Sequence, residues 1–321
     1  MNIFNKILKP ANIQVKRLSS LEEARLNYES RLKRISEFYS DASFTFNDDL
    51  NHDIAAIVFS KDRAMQLHAL LFSYFFYTKN HAPLVVLYTF SNDLHKKAYD
   101  LLKVVVEDYP VTFVEETYFT AQLKSIVQKL NAGRIFFMTD DGVFLDHYDL
   151  HDSLHFHPTK SIFSLRLGAD LDFCYSYNKK QAIPVFTIEN VKDKKFNSWV
   201  WAGIKDSPDW NYPLSVDATI FFKKEIEMIL ENISFKSPNS LESQFQLYND
   251  LFIHRAGICY SKVKYVNVPC NIVQSEYGNN FTGAFSVDQL LDHFLNGKRI
   301  DWRKFEQMNA REAQLIKYTF I

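Results

Sequence analysis

The chain has 321 residues, of which 47% are hydrophobic and 23% are charged, and its formal net charge is −1. These values are typical of a folded globular protein; they exclude a disordered chain and provide no overall electrostatic attraction to nucleic acid. Cys174, Cys259 and Cys270 are isolated, as expected for reduced thiols, and no run approaches the roughly 20 apolar residues that a membrane-spanning helix needs. We therefore expect a cytoplasmic protein without a nucleic-acid partner.

The first 50 residues differ in composition from the rest of the chain and predict a helical extension. Residues 21–39 are rich in Glu and Arg, with apolar residues at mostly helical spacing, and the polar residues 47–53 then break the pattern. The basic residues near the start could touch a membrane surface, whereas the alternative that we favour is a helix packed on the main domain or on a second subunit. We expect an extension over residues 1–50 and a main domain over residues 51–321.

The first part of the main domain alternates between apolar strands and helices. Strands are predicted at residues 54–59, 84–90 and 111–114 and in the run that begins at Arg134. Helices are predicted at residues 64–77, 93–106 and 119–130. Uninterrupted apolar strands are typical of a sheet buried on both faces, so the pattern predicts an α/β fold with a mostly parallel sheet flanked by helices.

Asp140 and Asp141 end the strand that begins at Arg134, and Gly142 comes directly after them. Two adjacent carboxylates in a dry site need a cation or a shared proton. Because ligands of open α/β folds bind at the carboxyl edge of the sheet, this pair is a candidate for holding a divalent ion that binds phosphate. Since Asp and Gly also favour turns, a purely structural turn is the alternative.

The second part of the main domain is less regular. Residues 161–167 and 171–177 are predicted as strands, and residues 179–212 form an irregular region that contains Trp199, Trp201 and Trp210. Grouped tryptophans either pack in a core or present an apolar face to a sugar ring. Trp199 and Trp201 are therefore candidate residues on the acceptor side of a site.

Asp217 and Glu242 are candidate acids of this second part. Asp217 lies in an apolar run, where an acid is costly unless it is paired or functional. Glu242 lies near the start of a helix that Ser240 is expected to cap, and there the helix dipole alone could account for it.

Four segments now support a resemblance to a known family. They are residues 59–67, 136–144, 163–168 and 212–217. The chain resembles the GT-A class of nucleotide-sugar glycosyltransferases, in particular family-2-like bacterial proteins from surface-polysaccharide loci. The resemblance spans roughly residues 54–280 and implies a GT-A, Rossmann-like fold.

The resemblance also implies an activity. It is the transfer of a hexosyl or N-acetylhexosaminyl group from a nucleotide-diphosphate donor, such as a UDP-sugar, to a hydroxyl of a glycan or lipid-linked acceptor. Members of the class use Mn²⁺ or Mg²⁺ held by an Asp-x-Asp motif, to which Asp140 and Asp141 correspond. In this chain the two acids are adjacent, and no histidine occupies the carboxyl-terminal metal position, so Asn271, Gln274 or water would have to replace it.

Other family roles carry over by position. Ser60, Arg63 and Lys124 correspond to nucleotide-binding residues, and Asp140 also contacts the donor. Asp217 corresponds to the catalytic base of inverting members, and Glu242 is our second candidate for that role.

Two alternatives to a glycosyltransferase remain open. A sugar-nucleotide nucleotidylyltransferase uses a similar fold, but it normally has a glycine-rich first loop, and residues 60–63 contain no glycine. A binding or assembly protein that keeps the fold without turnover is the other alternative.

Overall fold

The computed structural model describes residues 4–40, 53–269, 271, 285–306, 311 and 318–321, with side chains from residue 21 onward. The chain divides into two units, Met1–Leu50 and Asn51–Ile321. In the part of the chain that the structure describes, no helix combines the length and the hydrophobicity needed to cross a membrane.

The first unit contains one long helix, α1, which runs from Phe4 to Ser40 and so begins earlier than predicted. Its surface mixes exposed apolar side chains, such as Leu21 and Leu32, with the ion pair Arg25–Glu29. Exposed pairs of this kind contribute only about 0.3–0.5 kcal/mol each. Contact of this helix with a membrane or a second subunit stays a prediction.

The second unit contains helices and strands in alternation. The helices are α2 (Ala64–Tyr77), α3 (Asp93–Val105), α4 (Phe119–Lys129), α5 (Lys223–Asn232), α6 (Pro238–Phe245), α7 (Asn249–Phe252) and α8 (Val287–Leu295). The strands up to residue 149 are β1 (Ile54–Lys61), β2 (Thr78–Lys79), β3 (Leu84–Thr89), β4 (Val111–Glu115), β5 (Arg134–Thr139), β6 (Gly142–Phe144) and β7 (Tyr148–Asp149). The later strands are β8 (Ser161–Ser164), β9 (Phe173–Cys174), β10 (Lys179–Lys180), β11 (Thr187–Val191), β12 (Lys194–Val200), β13 (Thr219–Phe222), β14 (Ala256–Cys259) and β15 (Tyr265–Asn267).

A nine-stranded sheet forms the centre of the second unit, in the order β11-β12-β14-β8-β13-β5-β1-β3-β4 among the described residues. The neighbours β5, β1, β3 and β4 are all parallel, and only β12 and β13 run against the common direction. The first seven residues of β1 and the first five of β5 are buried, as their uninterrupted apolar sequences require. The predicted α/β fold with a mostly parallel sheet flanked by helices is confirmed.

The chain turns after β5 and leaves the large sheet. The predicted long run from Arg134 divides at a turn of Asp140 and Asp141 into β5 and the short strand β6. β6 leaves the large sheet and pairs with β15, with Asn267 opposite Gly142. This pairing brings a distant segment of the chain to the carboxyl end of β5.

Candidate active site

A cavity of about 970 Å³ opens at the carboxyl ends of β1, β3 and β5, a volume that suits a nucleotide-sized ligand. The residues predicted from the sequence that line it are Ser60, Arg63, Asp140, Asp141, Asp217, Glu242 and Asn271. The structure therefore brings together side chains from distant parts of the second unit.

Arg63 holds the two adjacent carboxylates. Its Nη1 donates to Asp140 Oδ1 at 3.1 Å and to Asp141 Oδ2 at 3.2 Å. The backbone N–H of Lys61 donates to the other oxygen of Asp140 at 3.1 Å. Burial raises the pKa of Asp140 to about 6, although the Arg63 charge opposes this shift. The Asp-Asp-Gly segment is thus both a turn and a charged site.

Asn271 holds the rest of the Arg63 side chain. Arg63 Nε donates to Asn271 Oδ1 at 2.9 Å, and Arg63 Nη2 donates to the Asn271 carbonyl. A guanidinium has five N–H groups, so these contacts with the protein leave Arg63 little capacity for a phosphate. Asn271 is one of the residues expected to replace a metal ligand, but in the structure its side-chain oxygen serves Arg63. Gln274 lies outside the described residues.

The side chains of Asp141 and Asp217 lie close together in the cavity. Thr139 Oγ1 lies 2.9 Å from Asp141 Oδ1 and 3.0 Å from Asp217 Oδ1. Asn267 Nδ2 lies 3.2 and 3.1 Å from the same two oxygens. The sequence predicts neither Thr139 nor Asn267, yet together they connect the two carboxylates.

Gly142 allows this arrangement, because a Cβ atom at that position would lie 2.1 Å from the Tyr265 hydroxyl oxygen. Only a residue without a side chain lets the Tyr265 ring lie against the turn. The contact supports the pairing of β6 with β15, and Asn267 is the last residue of β15. The glycine after the acid pair thus helps to position Asn267.

Two left-handed residues adjoin the site. Asp62, with φ 56°, directly precedes Arg63, and Ala218, with φ 51°, comes directly after Asp217. Asp tolerates this conformation, whereas for alanine it costs on the order of 1 kcal/mol. Ala218 is held there by two backbone hydrogen bonds, from its N–H to Phe137 O at 2.8 Å and from Leu165 N to its carbonyl at 3.0 Å. This backbone strain occurs beside a candidate base, where function commonly retains it.

Glu242 lies beside Asp217 and accepts a hydrogen bond from Val216 N at 3.0 Å. The predicted cap was wrong: Ser237 caps α6 in a reciprocal capping box with Ser240, so Glu242 lies beyond the first turn. Burial, reinforced by the Asp217 charge, raises the pKa of Glu242 to about 7. Burial and the Asp141 charge likewise raise the pKa of Asp217.

Arg166 is a site residue for which the sequence predicts no role. It lines the cavity, and its Nη2 donates to Asp209 Oδ1 at 2.9 Å. Gln181 holds the other Asp209 oxygen at 2.9 Å. Although burial opposes it, the carboxylates of Asp209 and Asp217 raise the pKa of Arg166. Its segment, residues 163–168, carries part of the family resemblance, and that is the only signal in the sequence.

Three predicted residues do not contact the cavity. Lys124 lies on α4 with its Nζ 6.0 Å from the centre of the Phe235 ring, and it is absent from the cavity lining. Trp199 and Trp201 are 4% and 1% exposed and pack with ring centres 4.8 Å apart. The structure thus places both indoles in the core rather than in the cavity lining.

The site fits a divalent cation through the chemistry of its oxygen atoms. Four carboxylates, those of Asp140, Asp141, Asp217 and Glu242, face the buried guanidinium groups of Arg63 and Arg166. Asp141 Oδ1 is the oxygen of the acid pair that neither Arg63 nor Lys61 contacts; Thr139 and Asn267 lie within hydrogen-bond distance of it. The described residues contain no group of three or more His, Cys, Asp or Glu side chains arranged for a metal. Mg²⁺ commonly uses one or two carboxylates together with water and substrate phosphates, so one protein carboxylate is compatible with such an ion.

The chain was compared with known proteins. No family model matches it. It is 29% identical over 287 residues to the bifunctional glycosyltransferase pgtA of Dictyostelium discoideum, in an alignment that covers 79% of this chain and 37% of that protein. The chain therefore spans little more than a third of the curated relative. The predicted resemblance to glycosyltransferases is confirmed by this similarity.

Solved structures overlap with this chain only weakly. The S. aureus TarS 1-349 complex with UDP-GlcNAc has a TM-score of 0.41 and 12% identity, covering 76% of this chain and 67% of that one. A nucleotidyl transferase from Methanothermobacter thermautotroptrophicus has a TM-score of 0.37 and 9% identity, covering 65% and 88%. Because these overlaps are weak, we base the function on the site and on the sequence similarity.

Proposed function

We propose that this chain is a glycosyltransferase that moves a sugar from a nucleotide-diphosphate donor to a hydroxyl group of a glycan or lipid-linked acceptor. The observation that carries the proposal is the pair of contacts by which Thr139 and Asn267 join Asp141 to Asp217. These contacts put a carboxylate suited to the phosphate side beside a candidate base. The similarity to a bifunctional glycosyltransferase supports the same class of reaction.

On the donor side, Asp141 would hold a Mn²⁺ or Mg²⁺ ion, with Asp140 kept beside it by Arg63 and Lys61. Such an ion supplies Lewis-acid stabilisation of the charge on the leaving diphosphate. Arg63 acts mainly by fixing the two carboxylates. Ser60 lines the same side, and its hydroxyl is fixed at 2.7 Å from the Tyr99 hydroxyl.

On the acceptor side, Asp217 accepts the proton of the acceptor hydroxyl. The hydroxyl oxygen forms a bond to the anomeric carbon while the bond from that carbon to the diphosphate breaks. The raised pKa of Asp217 suits this role, because a base is most effective when its pKa approaches the working pH. Glu242 is the second candidate for the base, since it lies in the same cavity.

Several finer features belong to the same proposal. A hexosyl or N-acetylhexosaminyl group is the expected cargo, and synthesis of a surface polysaccharide in the cytoplasm is the expected setting. The helical extension over residues 1–50 is expected to act apart from the chemistry, by packing on a second subunit or by touching a membrane surface.

The proposal can be tested by turnover of nucleotide sugars by the purified chain with Mn²⁺, with Mg²⁺ and with EDTA. We expect metal-dependent release of a nucleoside diphosphate, and we expect Asp141→Asn to reduce it by at least about 100-fold. Asp100→Asn, which changes a half-exposed acid on α3, is the matched control and should retain full turnover.

Three results would contradict the proposal. Full turnover in EDTA would remove the metal from the mechanism. Consumption of a nucleoside triphosphate with a sugar phosphate would identify a nucleotidylyltransferase, and binding without any turnover would favour an assembly protein.

A further inference from the structure

Glu116 is a cavity-lining carboxylate that has no role in the chemistry described above. It comes directly after β4, and its backbone N–H donates to Tyr88 O at 2.7 Å, which fixes its position at the sheet edge. It is half-buried, and no hydrogen-bond donor reaches its carboxylate in the part of the chain that the structure describes. Burial raises the pKa of Glu116, while the exposed Lys61 opposes the shift. A carboxylate in this state is available to a ligand.

The sheet sets the distance between Glu116 and the phosphate side of the cavity. Asp140 comes after β5, and β5, β1, β3 and β4 lie side by side. Neighbouring strands are about 4.8 Å apart, so the ends of β5 and β4 are separated by about 14 Å. The ribose and diphosphate of a nucleotide can fill this length. A nucleotide whose phosphates lie at Asp141 therefore reaches Glu116 with its base.

The walls between these two ends suit a base. Phe90 and Phe119 line the cavity near Glu116, and Thr89 and Ser91 line it beside Phe90. Phe119 is buried and packs on Phe59 with ring centres 5.4 Å apart. Aromatic rings of this kind stack on any base, so they provide affinity without selecting among bases. Selection requires a polar group, and Glu116 supplies one.

We propose that Glu116 selects the base of the nucleotide donor and accepts those with an N–H group on the pairing edge, namely uracil and guanine. The inference rests on the proposed function, because it assumes a nucleoside diphosphate in this cavity. A carboxylate only accepts hydrogen bonds, so it pairs with uracil N3–H or guanine N1–H. Cytosine and adenine present a lone pair at the corresponding ring nitrogen, which a carboxylate repels. Each of these two bases can donate only through its exocyclic amino group, beside that lone pair, so its pairing with the half-buried carboxylate is weaker than pairing through a ring N–H.

The test is calorimetric binding of UDP, GDP, CDP and ADP, each with Mg²⁺, to the wild-type chain and two variants. We expect UDP or GDP to bind about tenfold or more tightly than CDP and ADP. Glu116→Ala should remove this preference by weakening the favoured nucleotide. Glu115→Ala is the matched control, because Glu115 is the exposed neighbouring acid, directed to the opposite side of β4, and it should preserve the preference.

The outcomes separate this inference from the proposed function. Equal binding of all four nucleotides to the wild type, or an unchanged preference in Glu116→Ala, would overturn the role of Glu116 and leave the glycosyltransferase proposal intact. Failure of every nucleoside diphosphate to bind would overturn both. The melting temperatures of the unliganded variants show whether Glu116→Ala remains folded, and the order of UDP and GDP decides between the two bases.

Discussion

The two halves of the cavity differ in the contacts that hold their charged side chains. In the donor half, Arg63 makes four hydrogen bonds to Asp140, Asp141 and Asn271, and Lys61 completes the set around Asp140. In the acceptor half, Arg166 is held by Asp209, and its buried Nε has no partner among the described residues. Asp217 and Glu242 share this half.

The difference lies in which acids the arginines contact: Arg63 donates to both acids of the donor half, whereas Arg166 donates to Asp209. A buried polar group that lacks a partner costs free energy, so such groups persist mainly where a ligand or water completes them. The donor half is therefore built to hold one arrangement of carboxylates. Two buried atoms lack a partner among the described residues of the site, Arg166 Nε in the acceptor half and Asn271 Nδ2 in the donor half.

The strongest way to break the comparison is to remove Arg63. Arg63→Ala leaves Asp140, which is 4% exposed, without its cation, and we expect the free energy of unfolding to fall by about 3–5 kcal/mol. Urea denaturation measures this loss. The double variant Arg63→Ala with Asp140→Asn should recover part of it, because only one charge of the pair is then left unpaired.

Arg311→Ala is the control for that experiment. Arg311 pairs with the carboxylate of Asp172 through two nitrogens, but Arg311 is exposed and Asp172 is partly exposed. Water and salt screen such a pair, so its loss should be far smaller. Equal losses for Arg63→Ala and Arg311→Ala would show that the donor half is not held by its buried charges.

The acceptor half is tested by Asp217→Asn. The amide keeps the shape of the side chain and can still accept from Thr139, but it cannot take a proton. We expect turnover to fall by about 10²–10⁴-fold while donor affinity changes little. Single-turnover kinetics and calorimetric donor titration measure the two effects separately.

Glu242→Gln gives the matched comparison for Asp217→Asn. A smaller loss of turnover in Glu242→Gln is expected if Asp217 is the base. The reverse order would transfer the role to Glu242, and little change in either variant would exclude a carboxylate base from this half of the cavity.

The parallel part of the fold is predictable because its signals are local. β1 and β5 are uninterrupted apolar runs, and α2 and α3 each come after a strand, so their observed bounds differ from the predicted ones by at most one or two residues. The predicted strand over residues 171–177 shrinks to the two residues of β9. The segments on either side of β9 are loops, and no local sequence pattern shows where strand pairing ends in such a region.

The acidic residues of the site can be predicted from the sequence, but the hydrogen bonds that connect them cannot. A charged residue in an apolar run is visible in a sequence, which is why Asp140, Asp141 and Asp217 can be identified from it. Asn267 is an ordinary polar residue in a short strand, and its position beside Asp141 depends on the pairing of β15 with β6. The location of the tryptophans cannot be predicted in this way, because their grouping along the chain does not distinguish a buried cluster from a cavity wall.

The protonation of His68, which lies outside both halves of the cavity, gives a pH dependence of stability with which the cavity can be compared. His68 lies on α2, stacked on Phe72 at 4.3 Å, and burial together with the Arg299 charge lowers its pKa to about 3. As the pH falls, the His68 imidazole therefore takes up a proton in the unfolded chain before it does so in the folded chain. The free energy of unfolding falls as the pH decreases from the ordinary histidine value of about 6.5 toward 3. Lowering the pH from about 7.5 to about 5.5 should reduce the free energy of unfolding by about 1 kcal/mol through this single group. Urea denaturation at the two pH values should show a smaller loss in His68→Gln and an unchanged loss in His151→Gln, since His151 is exposed. Equal losses in all three proteins would show that the pH dependence does not arise at His68.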